Sequence, residues 1–459
     1  MISLVLAMVV STSDPQAQKS FDRGLASFYA YDRAGAGNAF ASALQQDPNL
    51  AMAAWGEALA AAGDLNHPPS PEAFAAAQSA VKHAVSLESH ASPIERAYID
   101  ALALRYADTW DAHETDERRY VQAMSEIVAA HPLDDDAVTI TAEAMLEDRE
   151  PPASVLALLQ PVLQRHPQNV MANHLCIHAY DDLPDRTPVI ACADRLSAMT
   201  FLPQEEHLAH MPAHAYTETG LYAKAVAASD RAWRLRVAWN AGPRPYELEY
   251  GPHDTEVGYA AAMMLGDLQL AQQWATRVED QTLSSLRPLT LARFGKWAEI
   301  VASVSQPNSR QPFALGMAYA HEQDLNSADQ QLAELRGSVP DSDLVPILQS
   351  AIEERRGNIT AAVASLQRAI AIQKRDDTSE YLPLFPAGPA LGALYVRAGR
   401  YSDARAALQE SLTRLPGDPR AFYLLALACT HLGDGPCATA ANARFNAIWH
   451  EAPPTVADL

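Results

Sequence analysis

Beyond its first ten residues the sequence has no apolar run approaching the roughly 18 to 20 residues that cross a bilayer, so no membrane-spanning helix is expected. Positive charge is also short: Lys plus Arg number 34 against 56 Asp plus Glu, a formal net charge of -22. No basic stripe offsets that balance, so a phosphate backbone is repelled and nucleic acid is excluded as a partner. There is no Walker A loop, no GxGxxG after a strand, no HExxH and no GxSxG. Their absence removes the commonest nucleotide-binding, zinc-protease and serine-hydrolase readings.

Cysteine is scarce, with four residues in two local pairs, Cys176 with Cys192 and Cys429 with Cys437. Neither pair has the spacing of a zinc ribbon or a thioredoxin motif. Each spans one expected helix-turn-helix, which reads as two disulfides in an exported protein and four buried thiols in a cytosolic one. The N-terminus runs apolar from Met1 to Val10 and then polar to Ser20, as at the end of a secretory signal, but without a preceding Lys or Arg. The alternative is a disordered or helix-capping tail. A signal places the protein in the periplasm or outside the cell, where the disulfide reading also points; a tail leaves it cytoplasmic.

What the sequence does hold is a helical repeat. Leu391-Gly392, Tyr395, Gly399, Tyr401, Ala404, Leu408 and Pro416 fall at positions 7, 8, 11, 15, 17, 20, 24 and 32 of a 34-residue unit. Small residues at positions 8 and 20 let the two helices of a unit approach closely. Gly at 15 ends the first helix in a left-handed cap, and Pro at 32 stops the second. The register recurs through Gly24, Ala36, Phe40, Ala43 and Pro48, through Tyr216, Gly220, Tyr222, Ala225 and Ala232, and through Leu315-Gly316, Tyr319 and Ala328. It continues through Gly357, Ala362 and Ala369 to Gly433, Ala438 and Phe445. The expected fold is therefore all-α, a tetratricopeptide-repeat α-solenoid of antiparallel helix pairs. The expected organisation is a signal-like or disordered segment over 1–20, a histidine-rich array over 21–304, and plainer repeats over 305–459. Proline-bearing insertions at Asn66–Pro71, Leu183–Pro188, Asn240–Pro252 and Thr378–Pro389 are expected in loops on one face.

Six of the fifteen histidines lie between 174 and 253. His174 and His178 stand at i and i+4; His207, His210 and His214 stand at i, i+3 and i+7, so each set shares a helix face. Counting from Pro167, Ala225 and Gly266 puts the six at positions 2, 5 and 9 of successive first helices. Those positions line the concave surface of such an array, and neighbouring helices about 8–10 Å apart let imidazoles converge between them. Metal binding is their simplest joint use, since neutral imidazole suits zinc, copper, iron and nickel. His67 is a further candidate ligand. Glu143, at position 9 of its own unit, and Asp181 and Asp182, directly after the His174/His178 helix, are candidates to orient imidazoles or to act as general acid or base. The two aspartates also fit a solvated helix end before Pro184.

The stretches Trp55-Gly56-Glu57-Ala58-Leu59 with Asn66-His67-Pro68, His174 to Asp182, His207 to His214, Gly220-Leu221-Tyr222 and Arg293 to Trp297 resemble a family of mostly exported bacterial tetratricopeptide-repeat proteins. That resemblance covers most of the first 300 residues. It implies this fold and a histidine set matching His67, His174, His178, His207, His210, His214 and His253, without fixing an activity. The sequence departs from the family at Tyr31-Asp32-Arg33, where a His is common.

Two functions of different class follow. The first is a metalloenzyme with two sites of three imidazoles each; few adjacent carboxylates favour copper over zinc or iron. Its reaction is expected to be O2-dependent oxidation of a small molecule or peptide held in the concave groove. The second is a non-catalytic interaction scaffold whose repeat surface takes a protein partner. Metal storage or delivery uses the same histidines without a substrate.

Overall fold

The computed structural model describes residues 8–61, 63, 65, 70–181, 183, 185–239, 253–282, 285–303, 311–376, 382–451, 455 and 456. Among these residues the chain is all-helical, and its helices follow one another as antiparallel pairs. The first pairs are α1 (Pro15–Tyr29) with α2 (Arg33–Gln46), α3 (Ala51–Ala61) with α4 (Pro71–Ser86), and α5 (Pro93–Arg105) with α6 (His113–Ala130). Next come α7 (Asp135–Glu147) with α8 (Pro152–Arg165), α9 (Val170–Tyr180) with α10 (Val189–Ser197), and α11 (Glu206–Glu218) with α12 (Tyr222–Ala238). They are followed by α13 (His253–Met264) with α14 (Leu268–Thr282), α15 (Arg287–Arg293) with α16 (Trp297–Ala302), and α17 (Pro312–His321) with α18 (Leu325–Ser338). Last are α19 (Leu344–Arg355) with α20 (Ile359–Arg375), α21 (Ala387–Arg397) with α22 (Tyr401–Arg414), and α23 (Pro419–His431) with α24 (Gly435–Ile448). This is the solenoid class of helix pairs that the register implies. No helix among the described residues is long and apolar enough to cross a membrane.

The chain forms two units, 1–212 with 231–249, and 213–230 with 250–459. The expected 304/305 boundary lies outside the described residues, as do Met1 to Ala7 of the signal-like segment. The rest of that segment runs into α1, where Ala17 and Ser20 are buried.

The small-residue positions work by space. A Cβ on Gly24 or on Gly56 would come 2.5 Å from the Phe40 ring, so that ring seats between two glycines of successive first helices. Burying a phenylalanine this way contributes about 1.5–3 kcal/mol. In the second unit Gly392 gives way to Leu408 and Gly258 to Trp274 by the same means.

The glycine at repeat position 15 works by conformation. Gly220, Gly266, Gly295, Gly357, Gly399 and Gly433 each close a first helix with positive φ. The pattern at Gly399 is typical: its N–H donates to Val396 and the next N–H, of Arg400, donates back to Tyr395. That is the Schellman cap. Both cysteine pairs are disulfides, Cys176–Cys192 tying α9 to α10 and Cys429–Cys437 tying α23 to α24. Such bonds persist in an oxidising compartment.

Candidate metal centre

Helices α9 and α11 are unlike the amphipathic helices around them. From Met171 to Ile177 and from Glu206 to Thr217 every residue is buried, polar ones included. A helix buried on all sides is normally apolar throughout, so imidazoles at its centre ask for partners.

The structure supplies them across helices. His174 and His178 of α9 and His207 of α11 bring their ring nitrogens together in the first unit. The Nε2 of His174 lies 3.1 Å from that of His178 and 3.1 Å from that of His207. The relevant ligand atoms of the three all lie within 4.8 Å of one another. His174 is 0% and His207 3% exposed, so the convergence happens out of water.

Hydrogen bonding alone does not account for this arrangement. A neutral imidazole nitrogen is either a donor or an acceptor, and one Nε2 pointing at two others satisfies one of them well. An ion at the common point satisfies all three. Held about 2.0–2.1 Å from each nitrogen, it spaces its ligands roughly 2.9–3.4 Å apart for angles between square and tetrahedral. The observed 3.1 Å separations fall inside that window.

Groups around the triad fix the rings. Asp181, the residue that caps α9, puts Oδ2 3.5 Å from His178 Nδ1, on the far side of the ring from Nε2. Outer carboxylates of this kind orient ligand imidazoles and raise their basicity. Asn173 donates to the carbonyls of Pro167 and Asn169 and accepts from Arg195 of α10 at 2.8 Å. It thereby ties α9 to its pair beside the site.

In the second unit two further imidazoles meet. His253, the first residue of α13, brings its Nε2 to 3.1 Å from that of His214, with the rings stacked 5.1 Å apart. In each case the imidazole at position 2 of one first helix meets one from the first helix before it, at position 5 for His207 with His174 and at position 9 for His253 with His214. Cys429, Asp434 and Cys437 also lie close together, but both sulfurs are in the disulfide and so do not serve as ligands.

The remaining candidates fall elsewhere. Glu143 is buried and ion-paired with Arg33, Nη2 to Oε1 2.8 Å. Arg33 in turn lies over the Tyr31 ring, 4.9 Å from its centroid, which links Glu143 to the ring stacked on His207. His67 and Asp182 lie outside the described residues. A residue that the histidine pattern does not pick out is Tyr31. Its ring stacks on His207 at 4.9 Å and 12° and meets His174 edge-on at 4.7 Å and 65°. A signal for it exists in the repeat register: with Gly24 at position 8, Tyr31 stands at position 15, where a glycine belongs.

No family model matches this sequence and no curated protein does. Among solved structures the chain is similar to the APC/C hetero-tetramer Cut9-Hcn1, over 97% of this chain and 95% of that one, at 12% identity and a TM-score of 0.31. A likeness that slight carries no argument, and the fold stands on its helix pairs.

Proposed function

We propose that the chain is a helical-repeat scaffold that binds a transition metal between His174, His178 and His207. The observation behind this is that the His174 Nε2 lies 3.1 Å from the Nε2 of both His178 and His207 in a buried setting. Copper is the ion the donor set favours. Three neutral imidazoles leave a bound cation's charge uncompensated, with Asp181 nearby as an outer carboxylate. Burying charge is costly, so singly charged copper(I) is accommodated more easily than a divalent ion. In its most specific form the reading is O2-dependent oxidation of a small molecule or peptide, in which the ion would supply the redox step and the three imidazoles would hold it.

A second reading, a protein-interaction scaffold, has more behind it than the oxidation step does. Repeat helix pairs serve such roles widely. In the second unit a groove lined by Trp297, Met317, His321, Ile347 and Ala390 is edged by Glu354, Arg355 and Arg397. Apolar floor and charged rim suit an extended peptide. The two disulfides favour an oxidising, periplasmic or secreted location.

The test is equilibrium titration of metal-stripped protein with copper, zinc and iron(II), followed by O2 uptake of the loaded form. Tight stoichiometric copper binding is expected. If all three metals are rejected, the metal reading fails and the scaffold reading stands alone. If copper binds but no O2 is consumed with any small-molecule or peptide reductant, storage or delivery replaces oxidation.

A further inference from the structure

Among the described residues, three besides glycine have positive φ: Tyr31 at 60°, Arg149 at 57° and Gln323 at 67°. All three occupy the same place as the capping glycines. At Tyr31 the N–H donates to Phe28 and the next N–H, of Asp32, donates to Ser27, the Schellman pattern again. Left-handed backbone strains a residue with a Cβ, and a bulky aromatic there is an outlier. Arg149 and Gln323 are exposed, with side chains in water. Tyr31 is 2% exposed. The fold therefore places a buried aromatic where the repeat elsewhere uses glycine, and strain of this kind persists where the side chain is needed.

What the ring touches says what it is needed for. It lies parallel to His207 and edge-on to His174, two of the three converging imidazoles. Its own position is over-determined. Asp32 caps α2 through a 2.8 Å bond from Gly35, fixing the turn. Arg33 lies over both the Phe28 and Tyr31 rings and is held by Glu143. Glu143, on α7, and the turn after α1 thus brace an aromatic plate that stands 143 positions before His174 in the sequence.

We propose that Tyr31 is a positioning residue for the metal centre. Its ring fixes the planes of His207 and His174 so that their Nε2 atoms meet, and it covers one side of the bound ion against water. This rests on the metal reading above. The ring, rather than the hydroxyl, carries the effect.

The experiment compares copper(I) affinity, measured by competition with a chromophoric chelator, and the copper(II) EPR spectrum across variants. Tyr31→Gly removes the ring at a position where glycine is at ease. It should weaken copper binding roughly 10–100-fold, the range typical of losing an orienting group outside the ligands, and should alter the spectrum. Tyr31→Phe should keep wild-type affinity and spectrum. A Tyr31→Gly protein with wild-type affinity and spectrum overturns the proposal, and so does a Tyr31→Phe protein as impaired as the glycine variant. Circular dichroism reports folding; should the glycine variant unfold, Tyr31→Asn gives the same comparison, since Asn also tolerates this backbone. Failure of the wild-type protein to take up copper would instead strike the metal reading, and the two failures are thereby distinct.

Discussion

On the proposed metal reading, His174→Ala is expected to abolish copper binding at the first centre while the helices stay in place. His174 is the middle of the triad, the one ring whose Nε2 lies 3.1 Å from both of the others. Removing it leaves His178 and His207 without a common partner, and two imidazoles hold an ion far less well than three. The loss should exceed the roughly 10–100-fold that follows removal of an outer hydrogen-bonding partner. Isothermal titration with copper, with circular dichroism as the control for folding, measures it. His178→Ala should behave alike, whereas Asp181→Asn should fall within the smaller range, because Asp181 would act on a bound ion through the His178 ring. Equal affinity in the His174→Ala and wild-type proteins would remove this triad as a binding site.

The largest effect on stability is expected at Arg105, on α5. Its guanidinium is buried and donates to Glu117 at 2.7 Å and also to Glu147. Two carboxylates thus share one cation away from water. Burial pushes the Glu147 carboxyl up to about 8 and raises that of Glu117, while Arg105 pulls both down. Arg105→Met removes that pull and leaves two buried carboxyls without the cation they share. Breaking a buried pair in this way costs about 3–5 kcal/mol.

The pH dependence has a definite sign. A carboxyl raised in the fold binds its proton more readily there than in the unfolded chain, where it titrates near 4.3. The fold therefore loses stability as pH climbs from that value through the folded one. The deficit of the methionine variant should be large at pH 8 and shrink toward pH 5, where both carboxyls take up protons. Denaturant midpoints at the two pH values measure it. Adding Glu117→Gln and Glu147→Gln should recover most of the loss at pH 8. A pH-independent deficit would mean that lost packing by the Arg105 stem, rather than charge, sets the cost.

These expectations differ in how much of each is legible in the amino-acid sequence. The helix pairs are legible because each repeat position has a steric reason: Gly392 must clear Leu408, and Gly399 must turn left-handed. The same register places six histidines on one face of successive first helices. It does not say which imidazoles meet. In sequence His207 belongs with His210 and His214, but its Nε2 joins α9, because position 2 of this first helix reaches back to His174 at position 5 of the one before. That offset comes from the stagger between neighbouring helices, which spacing along a single helix does not encode.

Glu143 and Tyr31 show the same limit from opposite sides. Glu143 carries the right position number for a site residue, yet Arg33 takes its carboxylate. Tyr31 breaks the glycine rule at position 15 and so stands out in the sequence. Its contact with His174 spans 143 positions and depends on how the first helix pairs stack, which no local pattern reports. The Arg105 cluster is similar: its two acids lie on α6 and α7, and only packing reveals that they share one cation.

Crystals of the protein loaded with copper, measured across the copper absorption edge, test the central claim most directly. An anomalous peak is expected at the meeting point of the Nε2 atoms of His174, His178 and His207, about 2.0–2.1 Å from each. Crystals of copper-loaded protein that show no peak at that point, or peaks only at surface carboxylates, would contradict it.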